Sequence, residues 1–206
     1  MITLPSPPEQ TSAVEASVQT RIPPGKLIVL AGPSGVGKGT LLHHLRQKHP
    51  EIQVSISATT RQPRPGEIDA VHYYFVSPAQ FDEMVADDAL LEWAEFAGNC
   101  YGTPKAPIEQ ALANGRSVIL EIELLGARQV RKSCPAAKQI FVLPPSPEML
   151  EARIRQRGQD AEAAIRKRLS QAKVELAAAD EFDIRIINDD LARAVTELEA
   201  AIYGTA

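Results

Sequence analysis

A glycine-rich stretch that ends in a lysine contains the residues of this chain that are best suited to chemistry. Gly32 and Gly37 are followed by Lys38 in the pattern Gly-x-x-x-x-Gly-Lys. Such a loop can point several backbone N–H groups at one anion, and the lysine can reach the terminal phosphates of a nucleoside triphosphate. A glycine-rich turn that binds nothing is the alternative. The apolar run Leu27–Ala31 and the helical pattern Thr40–Arg46 favour a phosphate-binding loop, because such a loop joins a strand to a helix.

The loop departs from the usual pattern at one position. The lysine is usually followed by serine or threonine, whose hydroxyl holds Mg²⁺. Here Gly39 follows, and the hydroxyl comes one residue later, at Thr40. The sequence therefore leaves direct binding of a metal by the protein open, and we assign no metal-ligating residue.

Two arginines in a proline-rich stretch form a second candidate. Arg61 and Arg64 are three residues apart and are held by Pro63 and Pro65. Their planar guanidinium groups suit a bidentate grip on a phosphate. A basic surface loop with rigid turns explains the spacing equally well, so the residues alone leave both interpretations open.

A carboxylate and a hydroxyl on either side of a predicted turn form a third candidate. Glu92 lies in the strand pattern Leu90–Phe96, and Thr103 follows the turn signal of Gly98 and Asn99. The pair could bind the edge of a nucleobase. An exposed strand residue is the simpler interpretation of Glu92 without further context.

A cluster of positive charge lies between residues 153 and 168, around the junction of two predicted helices. Its members are Arg153, Arg155, Arg157, Arg166, Lys167 and Arg168. A solvated helix face is the common explanation of such a cluster. The cluster stands out against the net charge of -4, and Arg157 beside Gly158 suggests a mobile element that could close on phosphates.

Length and composition limit the class of protein. The chain has 206 residues, of which 44% are hydrophobic, so we expect one domain with small insertions or at most two. The net charge of -4 argues against a nucleic-acid coat protein. Cys100 and Cys134 have no metal-site spacing. We expect a cytoplasmic protein with no nucleic-acid or membrane partner and a mobile tail over residues 1–22. The choice between monomer and homo-oligomer stays open.

The elements that must position these groups predict an α/β fold. Strand patterns that alternate with helical patterns lie near Leu27, Val54, Val118, Ile140 and Ile184. The alternation predicts a parallel sheet with helices on both faces, and ligands gather at the carboxyl ends of such strands. Residues 58–104 contain their own strand signals, and we expect them to form an insertion over that edge.

The motifs occur in an order that resembles the guanylate kinases, a family of P-loop nucleoside monophosphate kinases. The motifs are Gly-Pro-Ser-Gly-Val-Gly-Lys, Ser-x-Thr-Thr-Arg-x-Pro-Arg-x-Gly-Glu, Tyr-x-Phe-Val-Ser, Glu-Trp-Ala, Gly-Asn-x-Tyr-Gly, Arg-Gly and Asn188-Asp-Asp190. The resemblance covers residues 25–204. It implies a P-loop NTPase-type core in a domain over residues 23–206. It also implies an inserted nucleoside-monophosphate-binding subdomain at about 58–104 and a helical lid at about 152–170.

The resemblance also implies a reaction, ATP + GMP giving ADP + GDP, with dGMP as a further acceptor and Mg²⁺ held mainly by ATP phosphates and water. It assigns the ATP phosphates to Gly32, Pro33, Ser34, Gly35, Val36, Gly37, Lys38, Gly39 and Thr40, and the adenine side to Asn188. It assigns the GMP phosphate to Arg61, Arg64, Tyr73 and Tyr101, and guanine to Ser57, Glu92 and Thr103. Glu123 is expected to bind GMP as well, and the expected catalytic groups are Lys38, Arg157 and Arg168.

Three positions depart from the family pattern. Glu121 and Glu123 stand where the family often has aspartate, and Leu125 stands where it usually has glutamine. Two other functions remain as alternatives. One is a non-catalytic protein-binding module of the same type, which would have a degraded phosphate loop. The other is a P-loop kinase for a different phosphorylated acceptor, against which Glu92 and Thr103 favour guanine.

Overall fold

The structure, a computed structural model, describes residues 25–96, 98–156 and 162–204. The expected tail over residues 1–22 and the expected lid arginine Arg157 lie outside the described residues. Within the described ranges, no helix is both long enough and apolar enough to cross a membrane.

Strands and helices alternate along most of the chain. The strands are β1 (Leu27–Ala31), β2 (Gln53–Val54), β3 (Ala58–Thr59), β4 (Tyr74–Phe75), β5 (Leu90–Phe96), β6 (Asn99–Pro104), β7 (Val118–Glu121), β8 (Lys138–Leu143) and β9 (Ile184–Ile187). The helices are α1 (Lys38–Lys48), α2 (Pro78–Ala86), α3 (Lys105–Ala113), α4 (Leu124–Ser133), α5 (Pro147–Gln156), α6 (Glu162–Ala177) and α7 (Leu191–Tyr203).

A parallel sheet forms the core and confirms the predicted α/β fold. Its strand order is β2-β7-β1-β8-β9, and β1 pairs in parallel with β7 on one side and with β8 on the other. Side chains alternate across the sheet, so Ile28 and Leu30 pack with residues of α1 and α7, while Val29 and Ala31 pack with residues of α3 and α4. Helices therefore cover both faces.

A second, smaller sheet has the order β4-β3-β6-β5. Strand β6 pairs antiparallel with both β3 and β5, and β3 pairs in parallel with β4. Ala58, Leu90 and Phe81 of α2 form its small hydrophobic core. This sheet carries Glu92 and Thr103 on its two longest strands.

The shortest strands differ from the sequence prediction. The strand predicted near Val54 has only two paired residues, Gln53 and Val54. Sequence patterns indicate no strand at β3. A strand of this length contains too few residues to show a periodic pattern, so only the pairing in the folded chain identifies it.

The sequence patterns assign no element to α4 or to β6. The buried residues of α4 recur at helical spacing, but Gly126 near its start is a poor helix former and weakens the pattern. Strand β6 contains Gly102 and ends at Pro104, and both residue types are uncommon in strands. Both elements border the candidate site.

Candidate active site

One group of candidate residues lies at the carboxyl edge of the parallel sheet. The glycine loop follows β1, Glu123 follows β7 and Asn188 follows β9. The carboxyl ends of parallel strands lie at one edge of a sheet, which is where α/β proteins bind ligands.

The glycine loop has the backbone geometry of an anion site. Gly32, Gly35 and Gly37 have φ angles of 143°, 87° and 103°, which residues with side chains rarely adopt. Gly37 immediately precedes α1, so the N-terminus of that helix opens onto the loop. The Lys38 ammonium donates a hydrogen bond to the Gly32 carbonyl oxygen across 2.6 Å. Helix N–H groups and an ammonium thus surround the same space, and both favour a bound phosphate.

Asn188 and Arg153 support the loop from behind. The Asn188 amide donates to the Val36 carbonyl oxygen across 2.8 Å. Arg153 donates to the same oxygen across 3.1 Å and to the Asn188 carbonyl oxygen across 3.0 Å. A Cβ atom on Gly37 would lie 2.5 Å from the Asn188 amide nitrogen, so glycine is required there. The expected role of Asn188 at adenine stays a prediction beside this contact.

Two side chains of α6 reach Ser34 in the loop. Arg168 donates to the Ser34 hydroxyl across 2.9 Å, and the carboxylate of Glu175 interacts with the Ser34 backbone N–H. Glu175 is only 4% exposed, and its Oε2 atom has no hydrogen-bond partner among the described residues. Burial raises the pKa of Glu175, and the Glu123 carboxylate raises it further. Sequence patterns give no signal for Glu175, because one glutamate on a helix is usually solvated.

The members of the basic cluster have different surroundings, and Arg166 and Lys167 are exposed. Arg153 and Arg168 contact the glycine loop. Arg155 forms exposed ion pairs with Glu151 and Glu162, both at 2.8 Å, as expected for a solvated helix face. The remaining predicted lid residue, Arg157, lies outside the described residues.

Glu67 organises the arginine loop. Its carboxylate accepts a hydrogen bond from the Arg61 guanidinium across 2.9 Å and one from the Arg64 backbone N–H across 2.7 Å. The hydrogen bond from Arg61 lowers the pKa of Glu67 to about 2. Glu67 belongs to the arginine motif, but the sequence pattern indicates no role for it. The structure makes it the shared anchor of both arginines.

Two tyrosines lie beside Arg61. The Arg61 guanidinium carbon lies 5.4 Å from the ring centre of Tyr73, and the rings of Tyr73 and Tyr101 are 6.2 Å apart. Burial raises the pKa of the Tyr73 hydroxyl, which therefore remains protonated and able to donate. Arg61 and both tyrosines, all expected at the GMP phosphate, are thus together. Arg64 lies in the same loop with an exposed side chain.

Glu92 and Thr103 form a buried pair, so the interpretation of Glu92 as an exposed strand residue is wrong. The Thr103 hydroxyl donates to a Glu92 carboxylate oxygen across 2.6 Å, and the two residues are cross-strand partners on β5 and β6. Glu92 is 6% exposed. Burial raises the pKa of Glu92, and the hydrogen bond from Thr103 opposes that rise.

Ser57 and Glu123 complete the expected GMP residues. Ser57 immediately precedes β3, and its carbonyl oxygen accepts the Tyr74 N–H across 2.9 Å. Loss of water around Glu123 raises its pKa, while the positive charge of Lys38 lowers it. Glu123 therefore faces the same region as the lysine of the glycine loop, although its side chain is exposed to solvent.

The described residues do not form a metal site of protein side chains. Among residues 25–96, 98–156 and 162–204, no group of three or more His, Cys, Asp or Glu side chains could hold a metal ion. Thr40 lies exposed in the first turn of α1. This donor set fits an ion that arrives with the phosphates and keeps several water ligands, which is the usual behaviour of Mg²⁺.

Comparison with known proteins identifies the family of the chain. The guanylate kinase family model matches residues 24–204. A guanylate kinase of Thermosynechococcus vestitus is 61% identical over 183 residues, which are 89% of this chain and 96% of that protein. A guanylate kinase of Synechococcus sp. strain CC9311 is 63% identical over 171 residues, 83% of this chain and 90% of that protein.

A solved structure has a similar overall fold. The crystal structure of guanylate kinase from Anaplasma phagocytophilum superimposes with a TM-score of 0.69 at 29% sequence identity, covering 88% of each chain. The match of the family model over nearly the whole described chain, together with these relatives, settles the family. This chain belongs to the guanylate kinase family.

Proposed function

We propose that this site catalyses the reaction of the family, the ATP-dependent phosphorylation of GMP to GDP, and that different residues bind the donor phosphates, the acceptor phosphate and the base. The attacking atom is a phosphate oxygen that already carries negative charge at neutral pH, so no general base is needed. Catalysis then consists of positioning and of neutralising charge. The observation that carries this proposal is the presence of a complete phosphate loop and a buried Glu92–Thr103 pair in one chain.

The donor side is built around the glycine loop. Backbone N–H groups of residues 32–40 and the N-terminus of α1 bind the ATP phosphates, and Asn188 lies toward adenine. Lys38 follows the charge as it moves from donor to acceptor. Arg168 exchanges its contact with Ser34 for the transferring phosphoryl group, and Arg157 joins it from the lid.

The acceptor phosphate binds in the arginine loop. Arg61 and Arg64 hold it, and their charge offsets the repulsion between the two phosphates. The hydroxyls of Tyr73 and Tyr101 donate to the same phosphate. Glu67 keeps Arg61 extended toward the ring of Tyr73 before GMP arrives, which reduces the entropy lost on binding.

The base is read by Glu92, Thr103 and Ser57. Guanine presents an N1–H and an exocyclic amino group side by side, and one ionised carboxylate can accept from both. Adenine has a bare nitrogen acceptor at the corresponding position. Glu92 therefore favours GMP and disfavours AMP, and dGMP presents the same base. Glu123 lies on the GMP side of Lys38.

Magnesium binds with the nucleotide. The protein oxygens fit a hydrated ion on the ATP phosphates, near which the Thr40 hydroxyl in the first turn of α1 and the Glu123 carboxylate after β7 would lie. When bound, Mg²⁺ neutralises phosphate charge. The binding, orientation and exclusion of water come from the residues named above.

A coupled assay with ATP and a panel of acceptors tests this function. GMP and dGMP should be phosphorylated, and AMP, CMP and UMP should be poor acceptors. Equal turnover of AMP or of a pyrimidine nucleotide would show that Glu92 and Thr103 do not select guanine. The absence of turnover with every acceptor would favour the non-catalytic binding module.

A further inference from the structure

We propose that helix α4 positions the carboxylate that reads the base, with Gly126 and Gln129 as the positioning residues. The proposal rests on the proposed function in one respect, that Glu92 reads guanine. Neither α4 residue was expected at the site from the sequence. The proposal makes them determinants of selectivity for guanine over adenine, although neither is a catalytic residue.

Gln129 holds the free edge of the strand that carries Glu92. Strand β5 is the outer strand of its sheet, so the polar backbone groups on its outer side have no neighbouring strand. The side-chain oxygen of Gln129 accepts the Trp93 N–H across 3.1 Å, and its nitrogen donates to the Trp93 carbonyl oxygen across 2.7 Å. One side-chain amide thus replaces a neighbouring strand at the residue that follows Glu92.

Gly126 provides the space in which the Glu92 carboxylate lies. A Cβ atom on residue 126 would overlap with Oε2 of Glu92 and would lie 3.0 Å from its Cδ atom. The carboxylate cannot move away without loss, because Thr103 holds its other oxygen and the side chain is buried. Glycine is among the poorest helix formers, so its presence in α4 has a cost that this contact explains.

The rest of α4 is anchored in the main core. Ala127 and Val130 are fully buried against the parallel sheet. The helix begins directly after Glu123, at the carboxyl end of β7. Gly126 and Gln129 therefore fix the position of β5, which carries Glu92, relative to the parallel sheet.

The test compares substitutions on the same helix. Gly126→Ala should change the melting temperature little, because the helix propensity of alanine offsets part of the cost of displacing the carboxylate. It should raise KM for GMP at least about tenfold, because one methyl group displaces the carboxylate and a tenfold change requires little free energy. KM for ATP should stay constant, and the GMP-to-AMP ratio of kcat/KM should fall. Gln129→Ala should act in the same direction. Arg128→Ala, which removes only an exposed ion pair with Glu181, is the matched control. It should change neither KM for GMP nor the GMP-to-AMP ratio of kcat/KM.

A compensating change separates positioning from a general defect. Glu92→Asp shortens the side chain and should relieve the overlap, so Gly126→Ala combined with Glu92→Asp should lose less GMP efficiency than the product of the two single losses. If Gly126→Ala does not fold, the effect of Gln129→Ala on the GMP-to-AMP ratio of kcat/KM tests whether α4 positions Glu92.

Three results would overturn the proposal and differ in what they imply. If Glu92→Gln lowers the GMP-to-AMP ratio while Gly126→Ala and Gln129→Ala leave it unchanged, Glu92 reads the base without help from α4. If Glu92→Gln also leaves the ratio unchanged, the assignment of Glu92 itself fails. An equal loss of kcat with both acceptors would make α4 a structural element only.

Discussion

The Thr103 hydroxyl and the Glu92 carboxylate are joined by a 2.6 Å hydrogen bond between adjacent antiparallel strands. Because Thr103 occupies one carboxylate oxygen, the orientation of the whole group is set before a nucleotide binds. The other oxygen lies against Gly126. The base-binding group is therefore preorganised by two elements, β6 and α4, that sequence patterns did not identify.

Lys38→Ala should abolish phosphoryl transfer more than it weakens binding. The lysine contacts charge that moves during the reaction, so its interaction is strongest in the transition state. Steady-state kinetics with varied ATP should show a large loss of kcat and a smaller change in KM. A variant that retains its kcat and shows only a raised KM for ATP would contradict this role.

Arg168→Ala should slow turnover, whereas Arg155→Ala should not. An arginine on a transferring phosphoryl group contributes about 10³–10⁵ in rate in related reactions. We expect less from Arg168, because Lys38 shares the charge. Arg155 belongs to the same basic cluster but forms exposed ion pairs, so it is the matched control. Equal kcat values for both variants would place Arg168 on the solvated helix face.

The parts of the site that could be predicted from sequence depend on local patterns. The glycine loop between β1 and α1 is one continuous segment, so the spacing of its residues in the sequence is enough to predict a phosphate site. The position of α4 depends on packing between distant segments. Gly126 meets Glu92 and Gln129 meets Trp93 only after the two sheets have been brought together.

Buried polar residues were hard to predict for the same reason. Glu175 lies on a helix in which half of the residues are polar, and nothing nearby in the sequence indicates that Ser34 will pack against it. Glu67 was visible in a motif, but its role depends on a turn that brings Arg61 and Arg64 to one carboxylate.

Glu67→Gln should weaken GMP binding without affecting ATP. The charge that anchors Arg61 would be lost, so the guanidinium would have to be ordered by GMP itself. KM for GMP should rise several-fold, about the net effect of one ordinary hydrogen bond, because glutamine can still accept from Arg61 but without the charge. Glu181→Gln, which breaks an exposed ion pair with Arg128, is the control. An unchanged KM for GMP would show that the ion pair of Glu67 serves only the fold of the loop.

The stability contributed by Glu67 should be lost only in strong acid. Its pKa in the folded chain is about 2, below the ordinary value of 4.5. A depressed pKa contributes stability that is present above the ordinary value and is lost as the pH falls toward the folded value. The difference in melting temperature between wild type and Glu67→Gln should therefore be constant near neutrality and shrink below about pH 4.

Glu175→Gln should stabilise the protein more as the pH rises. Burial raises the pKa of Glu175 in the folded chain above the ordinary value of 4.5. As the pH rises above 4.5, the carboxyl loses its proton more readily in the unfolded chain than in the folded chain, so the free energy of unfolding falls. The neutral variant lacks this loss. We expect a gain in the free energy of unfolding that is larger at about pH 8 than at about pH 5. Glu109→Gln, at an exposed position of α3, is the control. A gain that does not depend on pH would contradict the raised pKa.

The most direct test of the account is the GMP-to-AMP ratio of kcat/KM in wild type and in Glu92→Gln. The substitution preserves shape, so the melting temperature should change little. One accepting oxygen becomes a donor and the charge is lost, so GMP efficiency should fall about 10²-fold or more. AMP efficiency should not fall in parallel. A ratio that falls toward unity supports guanine recognition by Glu92, and an identical ratio in both proteins would contradict it.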